Sequence, residues 1–293
     1  MFVHILLRNG STDSYEIFYA CSVTLRAGSL PAKEDDMSIF FDHTDPDARI
    51  VGGTVAGTVP WMAVLTNGLL VRNLLCGASI ITDRHLLTAA HCIDSVFSWG
   101  SLSRYVNSLR ATVGTNRWNS GGVQYEIARN ITHPNYVSRI IKNDIGILIT
   151  RNAIRFTNTI SPVTLSFDVV GNGVATTVNG WGRIRAGGAI SAQLLELQAA
   201  TIDGLVCMIE VPRVATAINF PSRPPPVEPH IEICTHHSVG HGTCNGDSGS
   251  PLLRSDTREQ IGLVSWGIPC AHGAPDMFVR ISAYKSWLES SIL

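Results

Sequence analysis

After residue 50 the chain is a succession of short β-type runs: "WMAVLT", "SIIT", "LRATVG", "QYEIARNITH", "DIGILIT", "ATTVNGWG", "IGLVSWG" and "MFVRI". Each is bounded by Gly, Asn, Pro or Ser, residues that turn the chain rather than extend it. Strands this short and this regularly interrupted predict an all-β sandwich or a pair of barrels, not βαβ units. One helix is predicted, at the chain end. Ser282 is placed to cap it, and Ile281, Tyr284, Leu288 and Ile292 recur at helical spacing. The Pro-rich stretch "FPSRPPPVEP" at 220–229 reads as an extended surface loop.

Composition narrows the function classes. A chain of 293 residues accommodates one large all-β domain or two ordinary ones. With 22 basic and 23 acidic residues the net charge is -1, which gives no electrostatic reason to expect nucleic acid or anionic lipid as a partner. No run of 18 apolar residues occurs, so no spanning helix is predicted. The seven cysteines, Cys21, Cys76, Cys92, Cys207, Cys234, Cys244 and Cys270, contain no CxxC pair and fit no zinc spacing. Disulfides in an oxidising compartment are the better reading. Six of the seven follow Ile50, and Cys21 precedes it. The N-terminus is a poor signal peptide: "MFVHILLRNG" has a short apolar stretch broken by His4, and "IFYACSV" follows acidic residues. Secretion is therefore expected from the cysteines alone.

Three segments carry the chemistry: "LLTAAHCI" with His91, "KNDIGILIT" with Asp144, and "GTCNGDSGSPLL" with Ser248. A serine hydroxyl is a weak nucleophile at neutral pH. It needs a base to take its proton and an acceptor to hold that base in the right tautomer. His, Asp and Ser in this chain order fit one known solution. Gly246 leaves its N–H unobstructed, and with the Ser248 N–H it is suited to hold a developing oxyanion, a contact worth ~3 kcal/mol per donor. Gly249 permits the tight turn that presents the hydroxyl. Asp247 sits beside the nucleophile, where a carboxylate repels that oxyanion unless something neutralises it.

With "RIVGG", "CGASIITDRHLLTAAHC", "NDIGIL", "NGWG", "GTCNGDSGSPL" and "VSWG", these residues make 50–293 resemble a chymotrypsin-type serine endopeptidase, and the insect digestive members in particular. The resemblance implies two packed antiparallel six-stranded β-barrels with a C-terminal helix, and His91, Asp144 and Ser248 meeting between them. It implies that residues 1–49 are a leader and propeptide removed by cleavage after Arg49. The freed α-amine of Ile50 then pairs with Asp247, and the cationic side chain of Arg49 points to a trypsin-like activating protease. Six cysteines allow 15 pairings. The resemblance implies Cys76 with Cys92, Cys244 with Cys270, and Cys207 with Cys234, the last spanning more residues than is usual in the family. Cys21 has no evident partner.

The resemblance also maps Gly242, Gly267 and Asp276 onto the primary substrate pocket, with Ser265 beside them as a hydrogen-bond donor to Asp144. Trypsin-like members hold an Asp where Gly242 stands. Without it the pocket admits large apolar side chains, a chymotrypsin-like preference, unless Asp276 on an adjoining wall binds a substrate cation. Three arrangements stay open: a broad pocket using Asp276, an apolar one with Asp276 satisfied by water and backbone, or Asp276 turned to solvent. A trypsin-like preference for Arg and Lys through Asp276 is the alternative. Ser250 stands where the family more often has Gly, and Gly146 where it has Ala. "NIT" at Asn130 is a glycosylation sequon if the chain is secreted.

No cofactor or metal is expected. His230, His236, His237 and His241 crowd one stretch, but in a Gly-containing loop the spacing is weak support for a metal, and the stretch "TNRWNSGGVQYE" offers only Glu126 for calcium. Expected partners are protein or peptide substrates, an activating protease and protein inhibitors, with the enzyme a monomer. A catalytically dead regulatory homologue is the competing class. Such homologues usually lose Ser or His, whereas this chain keeps His91, Asp144, Ser248 and Gly246.

Overall fold

The structure, a computed structural model, describes residues 50–97, 108–183, 188–268 and 270–292. Arg49 and Cys21 lie outside these described residues. After a short β1 (Thr54–Val55) come β2 (Met62–Asn67), β3 (Asn73–Ile80), β4 (His85–Thr88), helix α1 (Ala90–Phe97), β5 (Arg110–Val113), β6 (Val123–Thr132) and β7 (Gly146–Thr150). β2 to β7 close into an antiparallel six-stranded barrel in the order β2-β3-β4-β7-β6-β5.

The second half comprises β8 (Ala175–Gly180), β9 (Leu195–Ile202), helix α2 (Gly204–Ala217), β10 (Glu232–His236), β11 (Pro251–Arg254), β12 (Gln260–Trp266), β13 (Asp276–Arg280) and helix α3 (Lys285–Ile292). Its sheet order is β1-β9-β10-β13-β12-β11-β8, and β8 pairs again with β9, so the last six strands close a second barrel with β1 appended at β9. Closure leaves few unpaired edges, and it explains why strands of four to ten residues suffice.

Each barrel has its own apolar filling. The first is lined by Ala63, Leu65, Ala78, Ile80, Leu86, Ile147 and their neighbours, and the chain end packs against it through Ile281, Tyr284 and Leu288. The second is lined by Ile50, Val178, Leu197, Leu252, Ile261, Val264 and Phe278. Trp181, the largest fully buried side chain, joins Met62, Val64 and Leu194 in a cluster that draws on both halves. Its indole N–H donates to the Asn116 carbonyl at 3.0 Å, so burial leaves no polar atom of the ring unpaired.

The helices depart from the sequence expectation. Ser282 does not cap α3: it lies inside a 3-10 turn, Ile281–Tyr284, that runs directly out of β13, and α3 begins at Lys285. The tighter turn buries both Ile281 and Tyr284, three residues apart and so on one side of it. Among the described residues two further helices of eight residues or more occur. α1 follows β4 with one residue between, and α2 is capped by Asp203, whose Oδ1 accepts the N–H groups of Leu205 and Val206. No helix was predicted here, yet Cys207, Val211, Val214 and Ala215 form a buried stripe at helical spacing, with Pro212 accommodated inside it.

The three disulfides are Cys76–Cys92, Cys207–Cys234 and Cys244–Cys270, as the resemblance implied. The 27-residue separation of the second is filled by α2 and the Pro-rich segment. That segment is not simply a surface loop. Pro225 and Val227 are buried, and Val227 joins Cys207, Val211, Ala215, Ile141, Trp266, Ile268 and Met277 in a third core cluster. No helix among the described residues is long and apolar enough to cross a membrane.

Candidate active site

His91 enters from the first turn of α1, and Asp144 from the segment that leads into β7. The two elements approach closely because β7 opens with Gly146, where a Cβ would stand 2.5 Å from Ile93 Cδ1 of α1. Asp144 then holds His91 at two points: Oδ2 lies 2.8 Å from the ring Nδ1, and Oδ1 accepts the His91 backbone N–H at 2.8 Å. Ser265 of β12, from the other barrel, donates its hydroxyl to Oδ2 at 2.6 Å. All three side chains are buried. Burial pushes the Asp144 carboxyl up, but the field of His91 and the bonds from the His91 ring, the Ser265 hydroxyl and the His91 amide more than offset it. Asp144 is held below the usual carboxylate range. An ionised carboxylate only accepts, so the shared proton resides on Nδ1 and the basic lone pair on Nε2.

Ser248 lies in a turn fixed by backbone bonds from Asp247 N–H to the Cys244 carbonyl and from Ser250 N–H to the Asp247 carbonyl, each 3.0 Å. The turn is docked on the first barrel, because the Ser248 carbonyl accepts the Gly77 N–H of β3 at 2.8 Å. Next to Gly77, Cys76 is bonded to Cys92, the neighbour of His91, so one covalent link ties His91 to the surface that receives the Ser248 turn. Gly249 has φ +77°, and a Cβ there would meet the Gly77 carbonyl oxygen at 2.5 Å. Only glycine fits both constraints. Gly246, at φ +97°, opens onto a cleft lined by Leu74, Leu75, Arg183, Ile190 and Asn245. Ser250 fills the space facing Gly77, and its hydroxyl is buried without a hydrogen-bond partner.

Asp247 turns away from Ser248 into the second barrel. Its carboxylate occupies the space that Cβ atoms on Gly180 and Gly182 would take, and accepts the Gly182 N–H at 2.8 Å and the Cys244 N–H at 3.1 Å. Burial pushes its pKa up to about 8; the Gly182 and Cys244 amides lower it, and the Asp276 charge adds to the rise. Ile50 is fully buried in the same barrel, and Val51 forms a reciprocal backbone pair with Gly242 at 3.0 and 3.2 Å. Residues 50 and 51 are thus inserted next to Gly242.

Asp276 does not face solvent: it is 8% exposed. A Cβ on Gly242 would stand 3.2 Å from Asp276 Oδ2, and one on Gly267 3.9 Å from Oδ1, so the carboxylate lies between the two glycines. Thr243 holds it, donating its N–H to Oδ2 at 2.9 Å and its hydroxyl to Oδ1 at 2.8 Å. Burial pushes its pKa up to about 7 against those two bonds. Thr243 was not singled out from sequence; its place directly after Gly242 was the available signal.

The other candidates resolve simply. Glu126 is taken by Arg110 and Arg151. His237 and His241 stack at 4.3 Å with Ser238 Oγ between their Nδ1 atoms, and among the described residues no carboxylate joins them in a group of metal-type donors. Among the described residues the one grouping of metal-type donors is Cys76, His91 and Cys92, and both sulfurs are spent on the disulfide.

Comparison with known proteins agrees with this geometry. The trypsin family model matches residues 50–288. Trypsin alpha-4 of Lucilia cuprina is 31% identical over 248 residues, covering 84% of this chain and 88% of the relative. Trypsin delta of Drosophila erecta is 31% identical, covering 83% and 88%. Chymotrypsin-2 of Vespa crabro is 30% identical, covering 83% of this chain and 100% of its own length. The chain belongs to the trypsin family and is a serine endopeptidase acting on protein substrates.

Proposed function

We propose that the chain is a secreted endopeptidase made as a precursor in which residues 1–49 are leader and propeptide, activated by a trypsin-like protease that cuts after Arg49. Ser248 is the nucleophile: its Oγ attacks the scissile carbonyl while Nε2 of His91 takes the proton. The same proton passes to the leaving amine, and water then releases the acyl group by the reverse sequence. Asp144 orients the imidazole and stabilises its charged form. The N–H groups of Gly246 and Ser248 receive the oxyanion. The observation that carries this reading is the two-point hold of Asp144 on His91, 2.8 Å at each contact, together with the docking of the Ser248 turn on β3, next to the cysteine bonded to the neighbour of His91.

Cleavage supplies what Asp247 lacks. In the uncleaved chain backbone amides alone oppose the effect of its burial. An ammonium on Ile50, already buried in the same barrel, stabilises the carboxylate and holds the loop that bears Gly246 and Ser248. The resulting enzyme works as an extracellular monomer and is open to protein inhibitors that occupy the same cleft.

The pocket is broad. The bare Gly267, where a Cβ would come no nearer than 3.9 Å to its neighbours, leaves room for aromatic and Leu side chains, and Asp276 between it and Gly242 meets the cationic head of Arg or Lys. An inactive regulatory role is disfavoured by the retention of every reacting group. The test is hydrolysis of peptide amides with Phe, Leu, Arg and Ala before the scissile bond, after cleavage at Arg49, with Ser248→Ala as control. Cleavage after Phe, Leu and Arg supports the broad pocket; cleavage after Phe and Leu alone removes Asp276 from it.

A further inference from the structure

Two residues before Asp144, Lys142 is buried and reaches out of the first barrel to Glu232 at the start of β10 in the second, Nζ to Oε1 2.7 Å. The same Oε1 accepts the indole N–H of Trp266 at 2.8 Å, and Oε2 accepts the Glu228 N–H at 2.6 Å. The Lys142 ammonium also lies 5.0 Å from the centre of the Trp266 ring. Trp266 directly follows Ser265, the residue that donates to Asp144. One buried carboxylate therefore grips the Asp144 segment through Lys142 and the Ser265 strand through Trp266.

The segment it grips is held in a backbone shape that side-chain-bearing residues seldom take. Ile141 has φ 49° and Asn143 has φ 54°, so Lys142 is flanked on both sides by left-handed residues, one of them β-branched. Such a shape persists only where the surroundings over-determine it. The Val137–Lys142 backbone pair, the Asn143 amide on the Asn135 carbonyl and the Tyr284 hydroxyl on Asn143 help. Among these ties, the Lys142 ammonium is the one that meets a charged group of the second barrel. A buried ion pair is weak support for stability, since apolar residues of similar volume often replace one without loss; what it supplies is direction.

We propose that Glu232, with Lys142 and Trp266, is a positioning residue for catalysis: it fixes the Asp144 carboxylate between His91 and Ser265 by tying the two barrels together behind it. This rests on the proposed triad. Glu232 touches neither substrate nor reacting atom, so its loss acts on turnover and leaves binding in the Gly242 pocket unchanged.

The test compares the cleaved parent with Glu232→Gln and with the apolar pair Lys142→Met/Glu232→Leu. The readouts are kcat and KM on a small peptide amide, thermal stability, and the low-field proton resonance of the His91 Nδ1–H bonded to Asp144. The expected result is a fall in kcat of about tenfold or more at unchanged KM, in keeping with the cost of sub-ångström misplacement, together with a displaced resonance in a folded protein. Parent-like kcat and an unmoved resonance in either folded variant overturn the proposal. So does failure of both variants to fold, which would make the pair a folding element. If the parent itself hydrolyses no amide, the enzymatic reading fails, while the resonance still reports whether Glu232 sets the His91–Asp144 bond.

Discussion

Asp276 and Gly242 stand side by side, with Asp276 Oδ2 3.2 Å from where a Cβ on Gly242 would stand. Where the resemblance expects an acid there is a glycine, and the Asp276 carboxylate from β13 stands close against it. Because burial raises the Asp276 pKa to about 7, the carboxylate is protonated on the acid side of neutrality and charged above it. Hydrolysis after Arg relative to Phe is expected to rise about tenfold between pH 6 and pH 8, following the ionised fraction. Asp276→Asn is expected to remove the Arg activity and flatten that ratio while sparing Phe. Steady-state kinetics on the two substrates across this range is the check.

Arg49→Gln is expected to leave the chain uncleaved by trypsin-like proteases at this site, with kcat lower by about 10²-fold or more, the scale of losing an oxyanion donor. Activity after controlled digestion, compared with that of the cleaved parent, is the measurement. Full activity in the uncleaved variant is the contrary result.

Asp247 makes a prediction about stability. Its folded pKa of about 8 lies far above the unfolded value of ~3.9, so the uncleaved folded chain holds the extra proton between those limits. Folded stability from this group therefore falls as pH rises through that window. Asp247→Asn removes the penalty. Relative to the parent precursor, the variant is expected to gain more than ~1 kcal/mol on going from pH 5 to pH 9. Denaturant unfolding of both precursors at the two pH values measures it, and a constant difference counts against the argument.

Ser265→Ala removes the 2.6 Å donor from a buried carboxylate that still has both His91 contacts. The expected loss is ~1–3 kcal/mol of stability, with reduced but measurable kcat. Unchanged stability and turnover would show that Asp144 does not need the second barrel.

The barrels were legible because short alternating runs and turn residues leave few other solutions, and the candidate site could be proposed because its residues sit in contiguous words such as "TAAHC" and "GDSGSP". Helix α2 was not, since Pro212 argues locally against a helix and it is the packing of the Cys207, Val211, Val214 and Ala215 stripe that overrides it. The orientation of Asp276 was not either. Whether a side chain turns inward depends on Thr243 arriving beside it from a distant part of the chain. Lys142 and Glu232 escaped notice for the same reason: they are 90 residues apart, and each alone reads as an ordinary surface charge.

The most direct test of the whole account is intact-mass analysis of the chain treated with a fluorophosphonate before and after cleavage at Arg49. The account predicts one covalent adduct, mapped to Ser248, that forms rapidly only after cleavage and not in Ser248→Ala or His91→Ala. No adduct on the cleaved chain, or one that persists in Ser248→Ala, would contradict it.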